Sequence, residues 1–150
     1  MRILLTGGAG FIGHNVVREL EQQGHHCSIL DSLTGYGIIP EQEIVYLTNH
    51  RLKRVNCEQN IGDIRDPAVT TVFKKFNPDI VIHLASFPRQ KIANQNPVLA
   101  SDVMSSGLMN LLEACKRYPI KKFVYISSSM VYGDFDNDVT ETAVCDPRGS

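Results

Sequence analysis

One stretch constrains this chain more than any other: Arg2-Ile3-Leu4-Leu5 followed by Thr6-Gly7-Gly8-Ala9-Gly10-Phe11-Ile12-Gly13. A short apolar run, strand-like in length, breaks into glycines. The glycines then open a helical pattern, Phe11-Ile12-x-x-Asn15-Val16-Val17-x-x-Leu20. A tight strand-to-helix turn needs positive φ, which glycine reaches without a Cβ penalty. The start of such a helix presents bare backbone N–H groups and the positive end of the dipole, both of which favour an anion. Gly8-x-Gly10-x-x-Gly13 fits the dinucleotide fingerprint, and Gly7 adds the wider spacing Gly7-x-x-Gly10-x-x-Gly13. The last glycine allows the helix to pack closely on the sheet. Glycines at these spacings are a weak signal alone, because turns collect glycine for structural reasons.

The second signal comes where the first requires it. Cys27-Ser28-Ile29-Leu30 reads as the next strand and ends in Asp31, with Ser32 beside it. A carboxylate at the tip of the second strand can accept both ribose hydroxyls of an adenosine. It would repel a 2′-phosphate, and no arginine follows directly in Ser32-Leu33-Thr34. The pattern therefore favours NAD over NADP, against the plainer reading in which Asp31 only caps a turn.

Further along, apolar runs alternate with helical patterns, which argues for an α/β domain with a doubly wound parallel sheet. Strands are expected near 2–6, 26–30, 54–61, 79–84 and 121–127, and helices near 11–23, 67–76 and 95–117, with a short helix possible over 41–49. A run as apolar as Ile80-Val81-Ile82 suits a central strand buried on both faces. One domain of 150 residues is large enough for a real core. The net charge of −1 gives no electrostatic reason to expect nucleic acid or a membrane surface, and no apolar stretch approaches the roughly 20 residues of a membrane span. The chain enters a strand at once, so no leader is expected. Four widely spaced cysteines without metal-ligand pairing point to free thiols and a cytoplasmic setting.

Four ordered motifs carry a resemblance to the extended short-chain dehydrogenase/reductases, in their nucleotide-sugar epimerase/dehydratase group. These are the glycine loop, Gly62-Asp63-Ile64-Arg65-Asp66, His83-Leu84-Ala85-Ser86 and Ser127-Ser128-Ser129-Met130-Val131-Tyr132-Gly133. The resemblance implies a Rossmann NAD-binding fold, incomplete at its C-terminal side. It implies cofactor contacts at Gly7, Gly10, Phe11, Ile12, Gly13, Asp31 and Ser32, then at Asp63 and Ile64 near the adenine. Leu84, Ala85 and Ser86 would pass beside the nicotinamide ribose. Asp66 before Pro67 reads instead as a helix cap followed by proline at N1. His83, in an apolar strand, reads as a satisfied core histidine and receives no chemical role.

Ser128 falls on the family's catalytic hydroxyl, whose role is to hold the substrate oxygen that loses its proton. The next two positions, Ser129 and Met130, lack the Asp-Glu pair that the resemblance associates with 4,6-dehydratases, and methionine cannot transfer a proton. The resemblance thus implies a UDP-sugar epimerase that works through a transient 4-keto sugar. The alternatives are a nucleotide-sugar dehydratase and a non-catalytic NAD-binding domain. Met104 stands where the family often has asparagine, if Gly107 and Asn110 set the register. The family's base, a tyrosine four residues before a lysine, is expected beyond Ser150. Tyr118 and Lys122 have that spacing but are rejected, because Pro119 breaks the helix between them. This chain is therefore expected to be the cofactor-binding part of a longer enzyme with its substrate domain elsewhere, and the resemblance implies a homodimer through the 95–117 helix and the helix that follows it.

Overall fold

The computed structural model describes residues 1–37, 39–133 and 138–147. Five parallel strands form one sheet: β1 (Arg2–Thr6), β2 (His26–Asp31), β3 (Glu58–Ile61), β4 (Ile80–His83) and β5 (Lys122–Tyr125). Their order is β3-β2-β1-β4-β5. The chain runs outward from β1 to β3, then returns to the other side of β1 for β4. The switch point lies between β1 and β4, where open α/β sheets leave a crevice beyond the strand C-termini.

Because successive strand residues face opposite sides, the sheet has two cores. Leu4, Leu30 and Val81 meet α3 (Val69–Phe76) and α6 (Gly107–Arg117) through Phe73 and Leu111. Ile3, Leu5, Cys27 and Ile29 meet α1 (Phe11–Gln22) through Val17, with Leu52 of α2 (Glu41–Leu52) packed alongside. Leu4, Leu5, Val17, Phe73, Val81 and Leu111 are all fully buried. Among the described residues, no helix is long and apolar enough to cross a membrane.

Several boundaries differ from expectation. β3 is shorter than 54–61, because Val55 turns into the core before pairing with β2 begins at Glu58. The short helix expected over 41–49 reaches Leu52. The expected 95–117 helix is interrupted. α4 (Gln90–Gln95) ends at Asn96, whose φ of −133° is not helical, and Pro97 starts α5 (Pro97–Ser101). A π-helical turn over Asp102–Ser106 then leads into α6. Pi turns insert a residue into a helix and alter the direction of the side chains around it; Met104 lies in this one. Asp66 does accept a bond from the Ala68 amide, at 2.7 Å, but the helix proper starts at Val69.

Candidate cofactor cleft and active site

The glycine loop sits at the C-terminal end of β1, and the neighbouring backbone explains its composition. Gly7 has φ +73°, and a Cβ there would lie 2.6 Å from the Ala85 amide nitrogen. A Cβ on Gly13 would lie 2.3 Å from the Gly7 carbonyl and 2.7 Å from Gly8 Cα. Both sites exclude a side chain by contact with backbone, which cannot move aside. Gly10 is different, since its nearest neighbour would be the Gly7 carbonyl at 3.1 Å. Packing alone tolerates a side chain there more easily, while a phosphate approaching the helix start would not. Gly10 is the N-cap of α1 and supplies no side-chain cap, which leaves the first-turn amides to an external acceptor. Phe11 and Ile12 are 73% and 60% exposed. They belong to the cleft wall, whereas the buried face of α1 runs through Gly13, His14 and Val17.

Asp31 ends β2 and lines the cleft beside Gly10. Its Oδ2 accepts the Ala9 N–H and its Oδ1 the Leu33 N–H, both at 2.9 Å. Each carboxylate oxygen has a second lone pair, so turn capping and acceptance of an outside hydroxyl are compatible. Burial pushes its carboxyl above the usual range, opposed by the two amide bonds and by the charge of Arg51. Arg51, at the end of α2, shares with Asp31 a hollow that also includes Thr34 and Thr48. No arginine follows Asp31 in sequence, yet tertiary structure brings one to it.

Asp63 lies across the slot in the loop after β3. Arg65 grips it with Nε on Oδ1 at 3.0 Å and Nη2 on Oδ2 at 2.7 Å, and reaches Asp102 Oδ2 with Nη1, also at 2.7 Å. The guanidinium holds the Asp63 carboxyl below its ordinary range. Asn110 of α6 donates to the carbonyls of Ile64 and Asp66 at 2.7 and 2.9 Å. A Cβ on Gly107 would meet Ile64 at 2.7 Å. The two residues that set the sequence register of this helix are thus the two that dock it on the loop after β3.

Opposite, the β4 terminus is anchored by Thr6. Its Oγ1 shares a 2.6 Å hydrogen bond with His83 Nδ1 and accepts the Ala85 N–H at 3.4 Å. His83 is 4% exposed, and burial lowers its pKa, so the imidazole is neutral near pH 7, as a satisfied core histidine is. Ser86 lines both halves of the cleft.

The first half of the cleft is lined by Gly7, Gly10, Asp31, Ser32, Tyr36, Asp63, Ile64, Leu84, Ala85 and Ser86, among others. The second continues past Gly7, Gly10, Phe11, Ile12, Gly13, Leu84 and Ser86 to Met104, Ile126, Ser127, Ser128 and Met130. All thirteen candidate residues named from the sequence therefore face one continuous crevice. Ser128 is exposed and caps a 3-10 turn (Ser129–Tyr132), its Oγ accepting the Met130 N–H at 3.2 Å. Its own proton remains free to donate. Tyr118 packs in the α3/α6 core while Lys122 lies on β5, so that pair shares no helical face.

Sequence reading missed Thr6, Tyr36, Arg51, Arg65 and Asp102. Only Arg65, two residues from Asp63, carried a local signal.

A family model described as "NAD dependent epimerase/dehydratase family" matches residues 3–149. The chain belongs to this NAD-dependent family. It is 34% identical over 132 residues to a UDP-glucose 4-epimerase of Schizosaccharomyces pombe, covering 88% of this chain and 36% of that protein. It is also 34% identical to a dTDP-D-glucose 4,6-dehydratase of Dictyostelium discoideum, over 95% of this chain and 33% of that protein. Among solved structures, it superimposes on a UDP-glucose 4-epimerase from Stenotrophomonas maltophila with bound NAD and formylated UDP-arabinopyranose. The TM-score is 0.78 at 32% identity, covering 97% of this chain and 42% of that one. The chain thus spans about two fifths or less of these three proteins.

The donor set of the cleft fits a dinucleotide: a helix start without a side-chain cap, a floor where Gly7 and Gly13 exclude side chains, and a carboxylate with free lone pairs at the tip of β2.

Proposed function

We propose that the protein carrying this chain is a nucleotide-sugar epimerase of the UDP-sugar 4-epimerase type, acting through a transient 4-keto sugar. The observation that carries this reading is the chemistry of the open half of the cleft. Its lining includes Ser128 and Met130 and contains no carboxylate among the described residues. Water elimination needs an acid and a base at the sugar, whereas epimerisation needs only the 4-hydroxyl proton and a hydride to be handled reversibly.

In this reading the first-turn amides of Phe11, Ile12 and Gly13 hold the pyrophosphate, with Gly7 and Gly10 giving it close backbone approach. Asp31 and Ser32 bind the adenosine ribose, and Asp63 and Ile64 flank the adenine. Leu84, Ala85 and Ser86 line the nicotinamide-ribose side. NAD, when bound, supplies a reversible hydride acceptor. Ser128 donates its free hydroxyl proton to the sugar oxygen and so fixes that oxygen during proton transfer; the base that takes the proton lies in the part of the relatives that this chain does not span. Val98, Met109 and Leu112 are 83%, 60% and 38% exposed, and this apolar surface along α5 and α6 supports a homodimer through these helices. Free thiols at all four cysteines fit a cytoplasmic location.

Ser128→Ala is expected to lower kcat by roughly 10²- to 10³-fold while leaving NAD affinity unchanged. Unchanged turnover defeats the assignment. A second reading, nucleotide-sugar dehydration, is favoured by the equal identity to the dehydratase relative. NMR of the product separates the two, because loss of water excludes simple epimerisation.

A further inference from the structure

The strand order puts β1 between β2 and β4, so a contact between the loops that follow β2 and β4 crosses over the glycine floor at the end of β1. Tyr36, in the first of these loops, makes that contact with Phe87, in the second. Their ring centroids are 4.5 Å apart, with planes inclined at 42°. Phe87 is 5% exposed and belongs to a small apolar cluster, separate from both sheet cores, against which Tyr36 packs. Tyr36 and Ser32 line the same slot, the one assigned above to the adenosine.

Backbone strain concentrates in the same two loops. Among the described residues, four non-glycine positions have positive φ: Leu33, Tyr36, Asn77 and Arg89. Asn77 ends α3, where this conformation is ordinary. The other three, at +57°, +52° and +63°, lie in the loops joined by Tyr36 and Phe87. L side chains adopt this region only at a cost, so contacts must hold the loops there. The ring pair and the Leu33 amide bond to Asp31 are such contacts.

We propose that Tyr36 and Phe87 form a clasp over the adenosine end of the cleft that retains the dinucleotide across successive turnovers. The proposal rests on the adenosine placement given above. It does not depend on which sugar reaction follows. A redox-neutral reaction regenerates its cofactor in place, so slow release does not limit turnover. The ring pair is a contact of the protein with itself, and breaking it speeds entry as well as exit. Asp31, which would bind the ribose directly, acts on affinity instead.

The test is stopped-flow release of etheno-NAD from the purified protein, chased with excess NAD, in Tyr36→Leu, Phe87→Leu and Asp31→Ala. Release from each clasp variant is expected to be roughly tenfold faster, with Kd changed by less than about threefold. The double variant should be no faster than the single ones, because either change removes the same contact. Tyr36 is half-buried, so Tyr36→Leu carries the test if Phe87→Leu does not fold. Unchanged release in the clasp variants, with weaker binding in Asp31→Ala, overturns the clasp alone. Unchanged binding and release in all three overturn the adenosine placement and the clasp together.

Discussion

At the half of the cleft lined by the loops after β2 and β3, Asp31 and Asp63 are already held by the protein. Asp31 receives two amides, and Asp63 is gripped by Arg65. At the other half, Ser128, Met104 and Met130 are exposed, and among the described residues Ser128 is tied only to the turn it caps. The cavity volumes follow the same division, about 170 Å³ at the first half and about 860 Å³ at the second. Recognition of a constant ligand is served by groups fixed in advance, because little ordering remains to be done on binding. The open half keeps room and a hydroxyl whose proton is not engaged in the turn it caps.

The largest expected effect breaks the floor shared by both halves. Gly13→Ala drives a Cβ into the Gly7 carbonyl and Gly8 Cα and should destabilise the fold by about 3 kcal/mol. Gly10→Ala has a looser contact and should cost less than about 1 kcal/mol of stability, yet abolish NAD binding. Denaturant unfolding alongside NAD titration checks both; equal destabilisation by the two variants would show that Gly10 serves packing.

A smaller change isolates the adenosine half. Asp31→Ala should weaken NAD binding by roughly 10- to 100-fold, the range for hydrogen bonds to a charged acceptor. Discrimination against NADP should fall in parallel, with Arg51 now the dominant charge at that hollow. Calorimetry with both nucleotides tests this, and retention of the full preference for NAD removes Asp31 from the ribose.

Arg65→Ala should sharpen the comparison by freeing Asp63. NAD affinity is expected to fall about fivefold, a modest effect because the ion pairs are partly solvated. Arg65→Lys should rescue little of it, since an ammonium cannot grip both carboxylate oxygens. Turnover at saturating NAD should stay constant. A fall in kcat instead would place Arg65 in the chemistry.

The smallest effect concerns the strand beneath both halves. His83 is held below the ordinary histidine pKa by burial, so the unfolded chain takes up the proton first. The stability contributed by neutral His83 is complete above about pH 6.5 and is lost as pH falls towards the folded value. Replacing it with Gln should flatten the decline of the denaturation midpoint below that pH; an unchanged slope assigns the decline to other groups.

Much of this was legible in the sequence because it rests on short-range patterns. Four of the five strands follow from apolar runs separated by helical periods; β3, Glu58–Ile61, is mostly polar and exposed at the sheet edge. The glycine turn follows from local sterics, and Asp31 from its place at a strand tip. Family motifs pointed to Ser128, and the structure places it at the cleft. Where the reading lost accuracy, a long-range contact or a local break decided. Asn96-Pro97 and the π turn divide a pattern that reads as one helix. Val55 turns inward before β3 pairs. Phe11 and Ile12 match an apolar helical face but lie at its solvent end.

Sequence by itself determined a doubly wound sheet, a glycine turn at the start of α1 and a carboxylate at the tip of β2, because each is encoded within a few neighbouring residues. Only tertiary structure brought Arg51 to Asp31, Arg65 to Asp102, Thr6 to His83 and Tyr36 to Phe87. Those pairs come from different strands, helices and loops and leave no periodic trace along the chain. They exist because parallel crossovers carry the ends of successive strands to one edge of the sheet, where side chains distant in sequence become neighbours.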